Sequence, residues 1–230
     1  MDDLFNFGPF FDNFDQILEG FWATVRLSAA AAVLSLIIGI VLVGFRVAPI
    51  PVLRNVGTVY VNILRNTPLT LILLMCSLGL NDILSLKFSN VSATSYYWWA
   101  VLGLSAYTGA FVCEALRSGI NTVPLGQAEA ARSIGLTFVQ SLRMIILPQA
   151  FRAVIAPLGS IFIAMIKNTT VAAAASYAEI ALIMKTLLDD PSFTSGAIPL
   201  FIGVAVGFMI LTLPTGFFFG WLAKRMAVAR

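Results

Sequence analysis

The sequence predicts an all-α membrane protein of about five transmembrane helices, and three observations lead there. Of its 230 residues, 59% are hydrophobic and only 11% charged, which lies outside the range of soluble globular chains. A mean hydropathy of +0.93 makes lipid the natural solvent for most of the chain. Five apolar stretches, at about 21–45, 59–84, 96–117, 149–168 and 197–223, each approach the roughly 20 residues that a helix needs to cross about 30 Å of hydrocarbon. Each must be helical, because a lone strand leaves its backbone groups unsatisfied in lipid.

Residues 1–20 form a segment ahead of the first span. They carry no basic region before the first apolar stretch, as a secretory signal would, so the segment is expected to stay attached. Its Phe residues alternate with Asp2, Asp3, Asp12 and Asp15, which suits either an interfacial segment with rings among headgroups or a partly ordered tail.

Charge then orients the five spans. Arg46, Arg54, Arg65, Arg117, Arg132, Arg143, Arg152, Lys224, Arg225 and Arg230 fall on one side, against Arg26, Lys87 and Lys185 on the other, with Lys167 inside a span. Ten against three makes the first side cytoplasmic, with the N-terminus outside and a cytoplasmic tail at 224–230. The net charge of +3 thus reports topology, and nucleic-acid binding is excluded. Tyr96, Trp98 and Trp99 open the third span as an outer aromatic belt. After the fourth span the polar run Lys167-Asn168-Thr169-Thr170 breaks the apolar pattern, and a further helix is expected over 171–188 near the outer surface.

Cys76 and Cys113 lie in apolar runs and read as small packing residues. The chain has no His, which removes imidazole metal sites and His-based proton relays; no metal site is expected.

The longest polar stretch lies between the third and fourth spans, over about 121–148. Pro124-Leu125-Gly126 signals a turn, Gln127 to Arg132 favours helix, and Gly135 interrupts before a second apolar-periodic stretch ending at Leu147-Pro148. Pro148 suits the first turn of the next helix. Glu129 complements the dipole of the short helix, while Ala130 and Ala131 leave a smooth surface for another protein. Organisation of this kind points to a docking element.

Glu129-Ala130-Ala131, three residues, Gly135, nine residues, Ile145, one residue and Leu147-Pro148 together resemble the EAA loop of bacterial ABC importer permeases. Arg65-Asn66-Thr67-Pro68 resembles the Arg-Gly/Asn-Thr-Pro segment of the polar amino acid (His/Gln/Glu-type) permeases. The run from Gly109 to Ile120 resembles their third-span signature, with Phe111 where Tyr is usual and its hydroxyl therefore missing. Lys167-Asn168-Thr169-Thr170 is similar to their Lys-Asp/Asn-Thr-Ser run. The wording around Glu114 is most like that of permeases of actinobacterial glutamate importers.

The resemblance implies a type I ABC importer (MetI-like) permease fold, with the permease domain over 21–223 in a bacterial plasma membrane. It implies a non-enzymatic translocator of a polar amino acid, glutamate by the wording. The segment around Glu129, Ala130, Ala131, Arg132, Gly135 and Pro148 would seat in a separate ATPase. Implied partners are two ATPase copies that hold ATP and Mg, a second permease that copies this chain or is its homologue, and an external amino-acid-binding protein. This chain itself is expected to need no cofactor: it has no G-x-x-x-x-G-K-[ST] loop, and no Lys follows a Gly.

Substrate-path candidates are Asn66, Thr67, Phe111, Glu114, Lys167, Asn168, Thr169 and Thr170. Ionised side chains inside a span cost about 2.5–3.5 kcal/mol on insertion scales and need a partner or a watery cavity. Glu114 precedes Arg117 by one turn on the same face, so it reads either as a path residue or as a structural partner of Arg117 or Lys167. Lys167 lies fifteen residues beyond Arg152, about 22 Å along a helix. There it either offers donors to a substrate carboxylate at a helix break, with Asn168, Thr169 and Thr170, or pairs and caps structurally. Arg65 reads as a cytoplasmic anchor ahead of a ligand. Asn66 and Thr67 precede Pro68, which frees a carbonyl. An ion-coupled secondary transporter is the competing class; it calls for an internal repeat and a paired acidic relay, and the sequence shows neither.

Overall fold

A computed structural model describes residues 6–190, 193 and 196–226. The described residues are almost all helical, and four helices are long and apolar enough to cross a membrane, or five spans if one bent pair counts as a span. The chain runs through α1 (Gly8–Asp12), α2 (Phe14–Val47), α3 (Pro51–Asn66) and α4 (Leu69–Leu74), which continues as a π-helical stretch over Met75–Ile83. Then come α5 (Ser92–Asn121), α6 (Leu125–Ser133), α7 (Phe138–Ser141) with a π turn over Leu142–Ile146, α8 (Leu147–Asn168) with a 3-10 extension over Thr169–Ala175, α9 (Ile180–Leu188) and α10 (Ala197–Met226).

The centre of the bundle is the α2–α5 pair, which runs parallel. Gly109 admits Ile38, and Gly39 admits Val112: a Cβ on Gly39 would stand 2.4 Å from Val112 Cγ1. In lipid, where apolar surface gains nothing by leaving solvent, small residues that bring backbones together carry much of the helix association. Helix α8 runs antiparallel to α5, with Gly119 against Ala150 and Val154, and α10 antiparallel to α8, with Gly159 against Phe219. The α4 segment also opposes α5, placing Leu73 beside Gly103 and Asn81 beside Ser95. Chain direction therefore alternates through the spans, and α2 begins at the opposite end of the bundle from the end of α10.

Three expectations on element bounds change. The stretch 59–84 is not one straight helix: α3 and the α4 segment meet at 104°. Pro68 lacks the N–H that would continue α3, and the Thr67 hydroxyl donates to Ile63 O at 2.8 Å in place of a backbone bond. The first span begins at Phe14 rather than at residue 21, so most of the 1–20 segment belongs to α1 and α2; residues 1–5, with Asp2 and Asp3, lie outside the described residues. There Phe10 packs on Gly203 and Phe21 on Gly207 of α10. The helix expected over 171–188 starts only at Ile180, because Ser176 takes a left-handed conformation (φ 61°) and Glu179 caps a new helix. Most of the 224–230 tail is outside the description, since α10 runs to Met226.

The aromatic belt ties the start of α5 to the α4 segment. Tyr96 Oη lies 3.1 Å from Asp82 Oδ1, and Trp99 Nε1 donates to Leu86 O at 2.9 Å. Cys76 and Cys113 are free thiols.

Candidate functional site

Glu114 sits among three arginines from three helices. Its carboxylate bonds Arg46 from the last turn of α2, Arg117 Nη2 lies 3.0 Å from Oε2, and Arg65 Nη1 from the last turn of α3 lies 3.7 Å from the same oxygen. Arg46 is the most enclosed, its side chain 12% exposed. Gly57 of α3 makes room for its stem: a Cβ there would be 2.8 Å from Arg46 Cγ. Tyr60 Oη donates to Ala106 O at 3.0 Å and fixes α3 against α5 at this level. The expected Glu114–Arg117 pair is present, one helical turn apart; a Glu114–Lys167 pair is not.

A small cavity of about 130 Å³ lies next to this cluster, between α5 and α8. Tyr107, Thr108 and Phe111 line it from α5, Met165 and Asn168 from α8. The Arg65 guanidinium lies over the Phe111 ring, 5.5 Å from its centroid, so the missing Tyr hydroxyl at 111 leaves an apolar face under a cation. A volume this small falls below the roughly 300 Å³ at which small-molecule pockets begin.

The other path candidates divide. Asn168 reaches the cavity. The Thr169 and Thr170 hydroxyls donate to Ile166 O (2.7 Å) and Lys167 O (2.9 Å), closing the last turn of α8, and Asn66 Nδ2 donates to Asn62 O (2.7 Å) as Thr67 does to Ile63 O. These four groups satisfy helix ends. The Lys167 side chain is exposed and makes no hydrogen bond or ion pair among the described residues.

Within 121–148, α6 covers the segment from Leu125 to Ser133, and Gly135 turns the chain at φ 86°. A capping box between Thr137 and Gln140 then starts α7. Pro148 stands in the first turn of α8. Glu129, Ala130 and Arg132 are exposed while Ala131 is buried. Leu125 is 82% exposed and Ile134 76%, with Val139 and Met144 beside them in sequence. These large apolar side chains stand out on a segment with polar neighbours.

Glu179 was missed by the sequence reading, which ran one helix through it. It is fully buried, its Oε1 accepts from the N–H of Ala181 (2.9 Å) and Leu182 (3.2 Å), and Oε2 lies 3.4 Å from the Thr24 hydroxyl of α2. Burial pushes this carboxyl up to about 7, partly opposed by those hydrogen bonds. A lone acid directly before the apolar run Ile180-Ala181-Leu182-Ile183 was the available signal for an N-cap. Arg46, too, was legible only as a topological charge.

The chain belongs to the family described as binding-protein-dependent transport system inner membrane component, whose model matches residues 35–228. It is 47% identical over 220 residues to the glutamate transport system permease protein GluC of Corynebacterium efficiens, covering 94% of this chain and 96% of that one. To its counterpart in Corynebacterium glutamicum it is 45% identical over the same coverage. Among solved structures, a chain of an amino acid ABC transporter crystallised with histidines superposes with a TM-score of 0.79 at 25% identity, covering 96% of this chain and 98% of that one. A chain of the inward-facing MetNI methionine ABC transporter superposes at 0.72 with 18% identity, covering 94% and 98%, and shares the fold. The protein is thus a multi-pass cell-membrane protein of a transport family, not an enzyme family.

Proposed function

We propose that this chain is the translocation subunit of an ATP-binding-cassette importer that carries a polar amino acid, glutamate, into the cell. The observation that carries this reading is its 45–47% identity, over nearly its full length, with two permeases named for glutamate transport. The 121–148 segment is the cytoplasmic coupling loop: Glu129, Ala130, Arg132 and Gly135 are exposed along with Leu125 and Ile134 and are offered to the ATPase, Ala131 is buried, and Pro148 opens α8. ATP and Mg belong to two copies of that ATPase. A second permease, copy or homologue, completes the path that the 130 Å³ cavity only begins. An external binding protein delivers substrate to the N-terminal side, and the C-terminus faces the cytoplasm.

The test is uptake of radiolabelled glutamate into proteoliposomes carrying the whole complex. Accumulation should require ATP on the ATPase side and stop when the ATPase cannot hydrolyse it. Uptake driven by an ion gradient without ATP would contradict the reading.

A further inference from the structure

The cluster around Glu114 holds more positive charge than it needs. Arg46 occupies Oε1 and Arg117 occupies Oε2, so both carboxylate oxygens are taken before Arg65 is counted. At 3.7 Å Arg65 is within ion-pair range but beyond a hydrogen bond. Three guanidiniums against one carboxylate leave two uncompensated charges. The Arg65 guanidinium makes no hydrogen bond among the described residues, and the buried Nε of Arg117 has no partner either. A forked cation with free donors, 43% exposed and laid over an aromatic ring, is built to take an oxyanion in its plane. The ring beneath it, Phe111, is also a wall of the cavity that Thr108 and Asn168 line.

We propose that Arg65 contacts the substrate on the path: its guanidinium takes a carboxylate of the amino acid as it leaves the Phe111–Asn168 cavity. Glu114 releases Arg65 at little cost because Arg46 and Arg117 still hold both of its oxygens. Substrate carboxylate thus replaces the weakest of three contacts, and the displaced arrangement returns when the substrate departs. The inference rests on the import reading above. A lipid phosphate has the same chemistry as a ligand, and the experiment separates the two.

The whole complex is reconstituted with wild-type chain, Arg65→Gln or Arg65→Lys, in vesicles of phosphatidylcholine alone and of phosphatidylcholine with phosphatidylglycerol. Glutamate uptake and ATP hydrolysis are measured together. A charge-assisted hydrogen bond of about 1.5–3 kcal/mol predicts that Arg65→Gln lowers maximal uptake by roughly tenfold or more in both lipids. ATP hydrolysis stimulated by the binding protein should stay within about twofold, so uptake per ATP falls, and Arg65→Lys should recover part of the rate. Unchanged uptake in Arg65→Gln overturns the proposal, as does a joint loss of uptake and hydrolysis, which marks a structural role. A loss confined to vesicles with phosphatidylglycerol overturns it in favour of a headgroup site. A wild-type complex that imports no acidic amino acid overturns the import reading itself, and the role of Arg65 falls with it.

Discussion

Arg46 and Glu114 join the last turn of α2 to the C-terminal third of α5 through a guanidinium–carboxylate pair that Gly57 of α3 closes over. An ion pair at this depth is costly to assemble and more costly to halve, since removing one partner leaves the other charged and enclosed. Glu114→Gln is therefore expected to destabilise the detergent-solubilised protein by about 3 kcal/mol, read as a lower midpoint of thermal unfolding. Arg46→Gln should follow closely, and Arg65→Gln least, because Arg65 stands farthest from the carboxylate and is the most exposed of the three. Equal losses at Arg46 and Arg65 would contradict this order.

The α2–α5 seam predicts a contrast between glycines. A Cβ at Gly39 meets Val112 at 2.4 Å, and one at Gly109 meets Ile38 Cγ2 at 2.7 Å, whereas Gly44 has nothing within 4 Å. Gly39→Ala or Gly109→Ala should cost about 1–3 kcal/mol through forced displacement of the neighbouring helix. Gly44→Ala should be neutral or stabilising by up to about 1 kcal/mol, as alanine favours helix. The same thermal midpoints report both.

Glu179 makes stability depend on pH. Its carboxyl is raised to about 7 in the folded protein, above the ordinary carboxylate range, so folding favours its neutral form. Its contribution is fully present below about pH 4.5 and is lost as pH rises through about 7. A difference of this size corresponds to about 3 kcal/mol. Glu179→Gln keeps an acceptor for the N–H groups of Ala181 and Leu182 and removes the titration. The variant's unfolding midpoint should therefore fall less than the wild type's between pH 5 and pH 8.

Lys167 separates path from structure. Without a side-chain partner among the described residues, Lys167→Met should leave the thermal midpoint within about 0.5 kcal/mol of wild type while glutamate uptake falls. Uptake at the wild-type rate would remove Lys167 from the path.

The spans, four or five in the structure against about five expected, and the loop layout were readable because each is written in one dimension: apolar length and turn residues at fixed spacing. The 104° bend was half-readable, for Pro68 marks the break, yet its angle depends on how α3 packs against α2 and α5. The site was harder. Glu114–Arg117 follows from helical spacing, while Arg46 and Arg65 reach Glu114 from 68 and 49 residues away in sequence, a convergence set by packing alone. Glu179 was lost because an apolar run on each side hid an N-cap inside what looked like one helix.

The 121–148 segment is proposed as a cytoplasmic surface occupied by an ATPase. It is tested most directly by placing a reporter at Ile134, 76% exposed in the isolated chain. In membrane vesicles, Ile134→Cys should react with a membrane-impermeant maleimide only from the cytoplasmic face, and adding the partner ATPase should protect it. Labelling from the outer face, or equal labelling with the ATPase bound, would contradict the account.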